Sequence, residues 1–340
     1  MRKIRTEEAV GHVIPHDLTQ IIPGEFKGVR FKKGHVVREE DIPVLLSMGK
    51  EHLFILEAVP EMVHEDEGAA VLAEISISVG MAASAPSEGR IDLIADTDGL
   101  LKVDTRKLVA INSIGRMVMA SRHGGSVVRK GDKIAGMRII PLMIERDALA
   151  TAREIGGVQP IFHILPFEFK RCAIITTGGE VASGRIQDAF TPVVEAKLAE
   201  FPSEIIGRSV LGDEYAEQTA AIRRYAEQGA DMIILTGGMS VDPDDQTPLA
   251  IRNSGARIVA YGAPVLPGAM IMVAYYNNIP VLGLPGCVMY SKRTIFDILL
   301  PRIFANEPIT GEIVANLGHG GLCLNCGHCT FPNCGFAAAH

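Results

Sequence analysis

The sequence predicts an α/β fold over residues 166–310: a doubly wound sheet of mostly parallel strands with helices on both faces. Three observations predict it. Ala173-Ile174-Ile175-Thr176-Thr177 and Met232-Ile233-Ile234-Leu235-Thr236 are unbroken aliphatic and β-branched runs, the composition of strands buried on both faces. Strand-like and helix-like segments alternate from residue 171 onward, which implies parallel strands joined by crossover helices. Both runs end in Thr-Gly-Gly, and open α/β sheets take ligands where the chain leaves the carboxyl ends of such strands.

The elements of this unit follow in order. After strand 171–177 a helix starts near Asp188. Strand 204–211 comes next, and Asp213 stands where it could cap a helix running to Gln228 and stopped by Gly229. Strand 231–235 leads to the second glycine turn. A helix at 248–253, strands at 257–261 and 279–284, and a helix at 290–304 complete the unit.

Two regions precede it. In residues 1–60, Ile42, Leu45, Leu46 and Met48 give an amphipathic helix over 38–48, stopped by Gly49. Phe31-Lys32-Lys33-Gly34 reads as strand and turn, and 52–56 as a strand. Residues 61–165 read as a β-rich module resembling a lipoyl-like or hammerhead barrel, with no modifiable lysine at the turn lipoylation would need. Gly68 to Ile75 fits a helix or a strand. Residues 91–96 form a strand turned at Asp98-Gly99, and Lys130-Gly131-Asp132 turns between two β segments. A helix over 145–155 ends at Gly156-Gly157, and 160–166 leads extended into the α/β unit. Residues 311–340 form a Cys-rich tail.

Bulk properties narrow the function classes. The chain has 340 residues with 33 Lys and Arg against 40 Asp and Glu, a formal net charge of −7. Without a basic run, nucleic acid is not an expected partner. No stretch reaches the roughly 18 apolar residues of a membrane span. The opening Met1-Arg2-Lys3-Ile4-Arg5-Thr6-Glu7-Glu8 turns acidic before any apolar core, unlike a signal peptide. A cytoplasmic location is expected, and a homo-oligomer.

The candidate site lies in the glycine turns. The first holds Thr177, Gly178, Gly179 and Glu180, then Gly184 and Asp188. The second holds Gly237, Gly238, Ser240, Asp242, Asp244, Asp245 and Thr247. Leu266-Pro267-Gly268-Ala269 and Leu284-Pro285-Gly286 are two further turns. Bare amides and small hydroxyls suit a phosphate. Carboxylates beside a phosphate repel it unless a divalent cation intervenes, and Mg²⁺ is the usual one. A lone Thr-Gly-Gly is ordinary turn chemistry; the turns collected in one α/β unit with acidic companions point to a phosphorylated small molecule.

These residues carry a family resemblance. Thr176-Thr177-Gly178-Gly179-Glu180, Asp188, Thr236-Gly237-Gly238-Met239-Ser240-Val241, Asp245-Gln246-Thr247-Pro248 and Leu284-Pro285-Gly286, in that order, resemble the molybdopterin-binding domain. That domain is shared by molybdenum-cofactor biosynthesis proteins, gephyrin-like proteins and competence-damage-inducible proteins. Residues 1–60 resemble the molybdotransferase N-terminal region through Glu8-Ala9-Val10-Gly11, Phe31-Lys32-Lys33-Gly34 and 41–49. The resemblance implies binding of molybdopterin or its adenylylated form, with Mg²⁺-assisted hydrolysis of the adenylyl group and molybdate insertion. It implies catalytic roles for Glu180, Asp188 and Asp245. It places cofactor contacts at Thr177, Gly178, Gly179, Gly237, Gly238, Ser240, Pro267, Gly268, Pro285 and Gly286. Two positions depart from it: Ala269-Met270 stands where the family often has Lys-Pro, and Cys287-Val288 where it often has Asn-Pro. A non-catalytic cofactor carrier that docks on a molybdoenzyme, and a nucleotide pyrophosphatase, are the alternative readings.

Cysteines Cys323, Cys326, Cys329 and Cys334 crowd the tail, while Cys172 and Cys287 stand alone. Four thiolates at this spacing can close on one Fe–S cluster or one Zn²⁺, with His319, His328 or His340 able to replace a cysteine. His123 and His163 read as structural or exposed. The tail is rich in Gly with few large apolar residues, so metal–thiolate bonds would be needed to order it.

Overall fold

The computed structural model describes residues 2–55, 60–240 and 245–337. Leu56 of the expected 52–56 strand, Val241, Asp242 and Asp244 of the acidic loop, and His340 of the tail lie outside them.

The first region is tied by two antiparallel pairings. Arg2–Arg5 runs against His52–Ile55, and Leu18–Ile22 against Phe26–Phe31. The expected helix begins as a 3₁₀ turn at Glu39–Asp41 and continues as Ile42–Ser47. Gly49 follows at φ +75°, a left-handed conformation that glycine adopts without steric cost. Ile14, Leu18, Phe31, Leu45 and Leu53 close a small core.

In the middle region the ambiguous Gly68–Ile75 stretch is helical, within Glu65–Glu74. Glu65, Asp66 and Glu67 sit in its first turn, where carboxylates favour the positive end of the helix dipole. Two antiparallel sheets follow. One orders Met81–Ala83, Arg90–Ala95, Lys133–Ile139 and Met117–Ser121; the other orders Val127–Val128, Gly99–Val103 and Phe162–Pro166. The β segments on either side of Lys130-Gly131-Asp132 therefore enter different sheets. Among the described residues no strand pair joins the two sheets into one barrel. Helix Thr105–Asn112 and strand Met117–Ser121 were not expected.

The third region is the α/β unit, a sheet of six strands. Its order is Ser203–Leu211, Lys170–Thr177, Met232–Thr236, Ile279–Leu284, Met272–Tyr276 and Arg257–Tyr261. The first four run parallel. The last two pairings are antiparallel, so Met272–Tyr276 runs against the other five strands and the sheet is mixed rather than simply parallel. The strand 272–276 escaped sequence reading, and it makes the difference. It joins 279–284 through Asn277-Asn278, both at positive φ (48° and 69°), the conformation of a two-residue hairpin turn.

Alternate residues of each strand serve opposite faces. Cys172, Ile174, Met232, Ile234 and Leu282 pack under helices Phe190–Leu198 and Ile295–Phe304. Ala173, Ile175, Ile233, Leu235 and Val281 pack under Tyr215–Glu227 and Thr247–Asn253. Helices thus cover both faces, and the middles of the central strands, 172–175 and 232–235, are apolar because neither face meets water.

Candidate functional site

The strand order fixes the site. The chain builds 170–177 first, steps to 203–211 on one side, then crosses back to 232–236 on the other. The topological switch point therefore lies between the strands ending at Thr177 and Thr236, and a crevice forms there in doubly wound sheets. Both Thr-Gly-Gly turns flank it. The registers Thr176↔Thr236↔Leu284 and Gly283↔Met272 bring the Pro285-Gly286 and Pro267-Gly268 turns to the same edge. All four turns singled out in the sequence meet at one end of the sheet.

The turns differ in why they are glycine. Gly237 (φ +84°) lies so close to the Thr177 strand that a Cβ would stand 2.2 Å from the Thr177 carbonyl oxygen. Gly238 (φ +55°) would meet Thr247 Oγ1 at 2.7 Å. A Cβ on Gly268 (φ +128°) would stand 2.4 Å from Ile295 Cγ2. Fold geometry alone demands these glycines. Gly286 is different: it is exposed, its φ is not positive, and a Cβ there would meet nothing within 4 Å.

Hydroxyls knit the turns together. Thr177 Oγ1 donates to the Thr236 carbonyl (3.1 Å), and Thr247 Oγ1 donates to the Gly237 carbonyl (2.9 Å). A second chain runs from Thr236 Oγ1 to Thr176 Oγ1 (3.3 Å), on to Thr191 Oγ1 (2.8 Å), and ends on Asp188 Oδ2. Asp188 Oδ1 also accepts the Phe190 and Thr191 amides (2.8 and 3.0 Å) at the start of helix Phe190–Leu198. Burial pushes this carboxyl up, but the Thr191 hydroxyl and the two amides outweigh it and hold Asp188 below the usual carboxylate range.

Asp213 corrects an expectation. Helix Tyr215–Glu227 starts after Glu214 with no side-chain cap. The Asp213 carboxylate instead accepts the Gly179 amide at 3.0 Å, adding a carboxylate to the first glycine turn. Sequence reading missed Thr191 at this edge; Thr176 stood in the first motif without a role, and Asp213 was read as a helix cap. Glu180 and Ser240 are exposed, and Asp245 is half-buried. Among the described residues no three His, Cys, Asp or Glu side chains gather closely enough to hold a metal ion.

The tail is ordered by ordinary contacts. Leu266 donates its amide to Gly321 O and receives that of Cys323, both at 2.8 Å. Phe336 is buried and Phe331 half-buried against the α/β core, and the Arg293 guanidinium lies 5.3 Å from the Phe331 ring centroid. Cys323 and Cys334 pack on that core while Cys326 and Cys329 are exposed. Phe331 and Phe336 thus seat the tail on the α/β core.

Strand order, switch point and paired glycine turns define an α/β domain whose glycine turns gather at the carboxyl edge of the sheet. Residues 173–305 match the family described as "Probable molybdopterin binding domain". Residues 3–57 match a domain of unknown function. A CinA-like protein of Mycobacterium tuberculosis (strain H37Rv) is 39% identical over 90 residues, covering 26% of this chain and 21% of that protein. A CinA-like protein of Mycobacterium avium is 38% identical over 95 residues, covering 28% and 22%. The chain thus spans about a fifth of the length of the curated relatives it matches. Among solved structures, the molybdopterin biosynthesis enzyme MoaB of a Thermus species is 22% identical, with 39% of this chain and 89% of that one covered and a TM-score of 0.32. A molybdopterin biosynthesis MoeA protein of a Pyrococcus species is 16% identical, with 72% and 81% covered and a TM-score of 0.34. No helix among the described residues is long and apolar enough to cross a membrane.

Proposed function

We propose that the carboxyl edge of the sheet binds molybdopterin or its adenylylated form, within molybdenum-cofactor biosynthesis. The observation that carries this reading is Gly286. It is the one glycine of the turns above whose lack of a side chain serves no packing or backbone need, so an approaching ligand gives its absence a use. The amides of Gly237 and Gly238 and the Ser240 hydroxyl supply anion contacts around it, while the Gly178 and Gly179 amides donate to the Leu211 carbonyl and the Asp213 carboxylate.

Mg²⁺ would fit this edge only together with a ligand phosphate. Mg²⁺ commonly takes one or two carboxylates plus phosphate oxygens, and Asp188, Asp245 and Glu180 offer carboxylates without forming a cage of their own. When bound it would offset phosphate charge. Release of AMP from the adenylylated pterin with molybdate insertion is the activity this reading assigns. Ala269 and Met270 offer no cation to such a ligand, which favours binding over turnover and keeps the carrier alternative in play. Identity to CinA-like proteins favours a second reading, hydrolysis of a nucleotide pyrophosphate such as ADP-ribose. The tail receives no metal-dependent step, because its four thiols do not fit one ion or cluster as they are arranged.

Mass spectrometry of small molecules retained by the purified chain tests the proposal, with Gly286→Val as control. A pterin retained by the wild type and lost from a folded Gly286→Val protein is expected. Retention of no pterin, or equal retention by the variant, would remove the site from this edge.

A further inference from the structure

A second cleft, of about 420 Å³, opens between the N-terminal region and the middle region, lined in part by His16, Lys50, Glu65, Glu88 and Arg138. It is far in the sequence from the glycine turns and shares no residue with them. Two of its polar groups lack partners. His16 Nδ1 is shut off from solvent and makes no hydrogen bond. Glu65 is only 7% exposed, and its carboxylate has no hydrogen-bond or ion-pair partner among the described residues. Nearly all buried polar groups in folded proteins are satisfied, so each exception asks for a reason.

Two cations in the same cleft are also unpaired. Lys50 and the exposed Arg138 form no ion pair among the described residues. The other carboxylates are already engaged: Glu88 accepts from Thr19 Oγ1 (3.1 Å), and Asp17 from the Lys33 amide (2.7 Å). The titration behaviour agrees with a crowded site. Burial first, then Asp66, pushes the Glu65 carboxyl up. Burial first, then Lys50, pulls His16 down, leaving the imidazole neutral near neutral pH.

We propose that this cleft is a ligand site for a small zwitterion, of which an α-amino acid is the simplest, with its ammonium against Glu65 and His16 and its carboxylate against Arg138 and Lys50. The free charges of both signs decide the class. An anion alone would be drawn to the two cations but would leave Glu65 unpaired and the buried His16 Nδ1 unmet. A cation alone would meet Glu65 but stand beside Lys50 and Arg138. A bare metal ion is disfavoured, since no three ligating side chains gather here. An ammonium brings directed N–H donors, which is what an orphaned carboxylate and an imidazole lone pair lack.

Calorimetric titration of the whole chain with each of the common L-amino acids tests this. The tightest binder is then compared with its N-acetyl and amide derivatives, each of which removes one charge. Saturable binding by at least one amino acid is expected, weakened about tenfold or more by either derivative and by Glu65→Gln. Arg138→Gln should weaken it likewise; Arg138 is exposed and unpaired, so that variant folds, as circular dichroism would verify. No binding by any amino acid would overturn the proposal. So would an N-acetyl derivative that binds as well as its parent, which marks a simple anion site, or wild-type affinity in folded Arg138→Gln.

Discussion

At the scale of single residues, Asp188 shows how one carboxylate can serve structure and site together. Its contacts with the Phe190 and Thr191 amides are those of a helix cap, and losing such a cap typically costs about 1 kcal/mol. Asp188→Ala should lower stability by about that amount at neutral pH. The folded carboxyl titrates below its ordinary 3.8, so its contribution is present above that value and lost as pH falls through the folded pKa. Denaturant titrations of both proteins should therefore converge as the pH drops below 3.8; a gap that stays constant would show the carboxylate charge contributes nothing. Residue types at the site were legible because Thr-Gly-Gly after an aliphatic run has few physical readings. The hydroxyl chain through Thr176 and Thr191 was not, because it depends on strands 170–177 and 232–236 lying side by side. The Asp213 contact with Gly179 was hidden for the same reason: a residue before a helix reads as a cap until the neighbouring turn is in place.

At the scale of elements, helix Ile295–Phe304 is fixed by a buried ionic knot at its first turn. Lys197 Nζ reaches both Asp297 oxygens (2.6 and 2.8 Å), Arg293 Nη1 lies 2.9 Å from Oδ1, and the Thr294 amide donates to Oδ2 at 2.7 Å. The Lys197 and Asp297 side chains are 8% and 1% exposed. Removing one partner of such a pair strands the other charge in a dry setting, typically at about 3–5 kcal/mol. Asp297→Ala should destabilise the chain by an amount in that range, read from urea midpoints; Lys197→Met,Asp297→Leu together should recover much of it. If the single variant costs under about 1 kcal/mol, water reaches the knot. The sequence placed this helix too early, from residue 290. It reads through a 3₁₀ turn at Gly286–Met289, since apolar periodicity does not separate one helical form from another. The 272–276 strand was missed because a glycine turn just before it drew the reading toward ligand chemistry and away from the Asn-Asn hairpin just after it.

At the scale of the molecule, three regions with separate cores are joined by polar ties. Lys102 in the middle region pairs with Glu307 beyond the last sheet helix (2.5 Å), and the Arg129 guanidinium donates to the Glu200 carbonyl (3.0 Å). Their succession along the chain was legible; their contacts were not, because such ties carry no periodic signal. The tail gives the clearest test at this scale. Cys172 is buried, with its thiol pushed up to about 12, so it should resist alkylation until the chain unfolds. Cys326 and Cys329 are exposed and should alkylate first in native protein, with Cys323 and Cys334 slower by mass spectrometry. Protection of Cys326 and Cys329 that a chelator abolishes would instead restore the metal centre. The seating of Phe336 in the same cluster as Cys172 has a kinetic side. One core is closed by groups almost half a chain apart, and loop-closure entropy must be spent before such contacts return any energy. This unit should fold slowly for its stability, and its early collapsed states should leave the sheet face under helices Phe190–Leu198 and Ile295–Phe304 open to aggregation until the tail arrives.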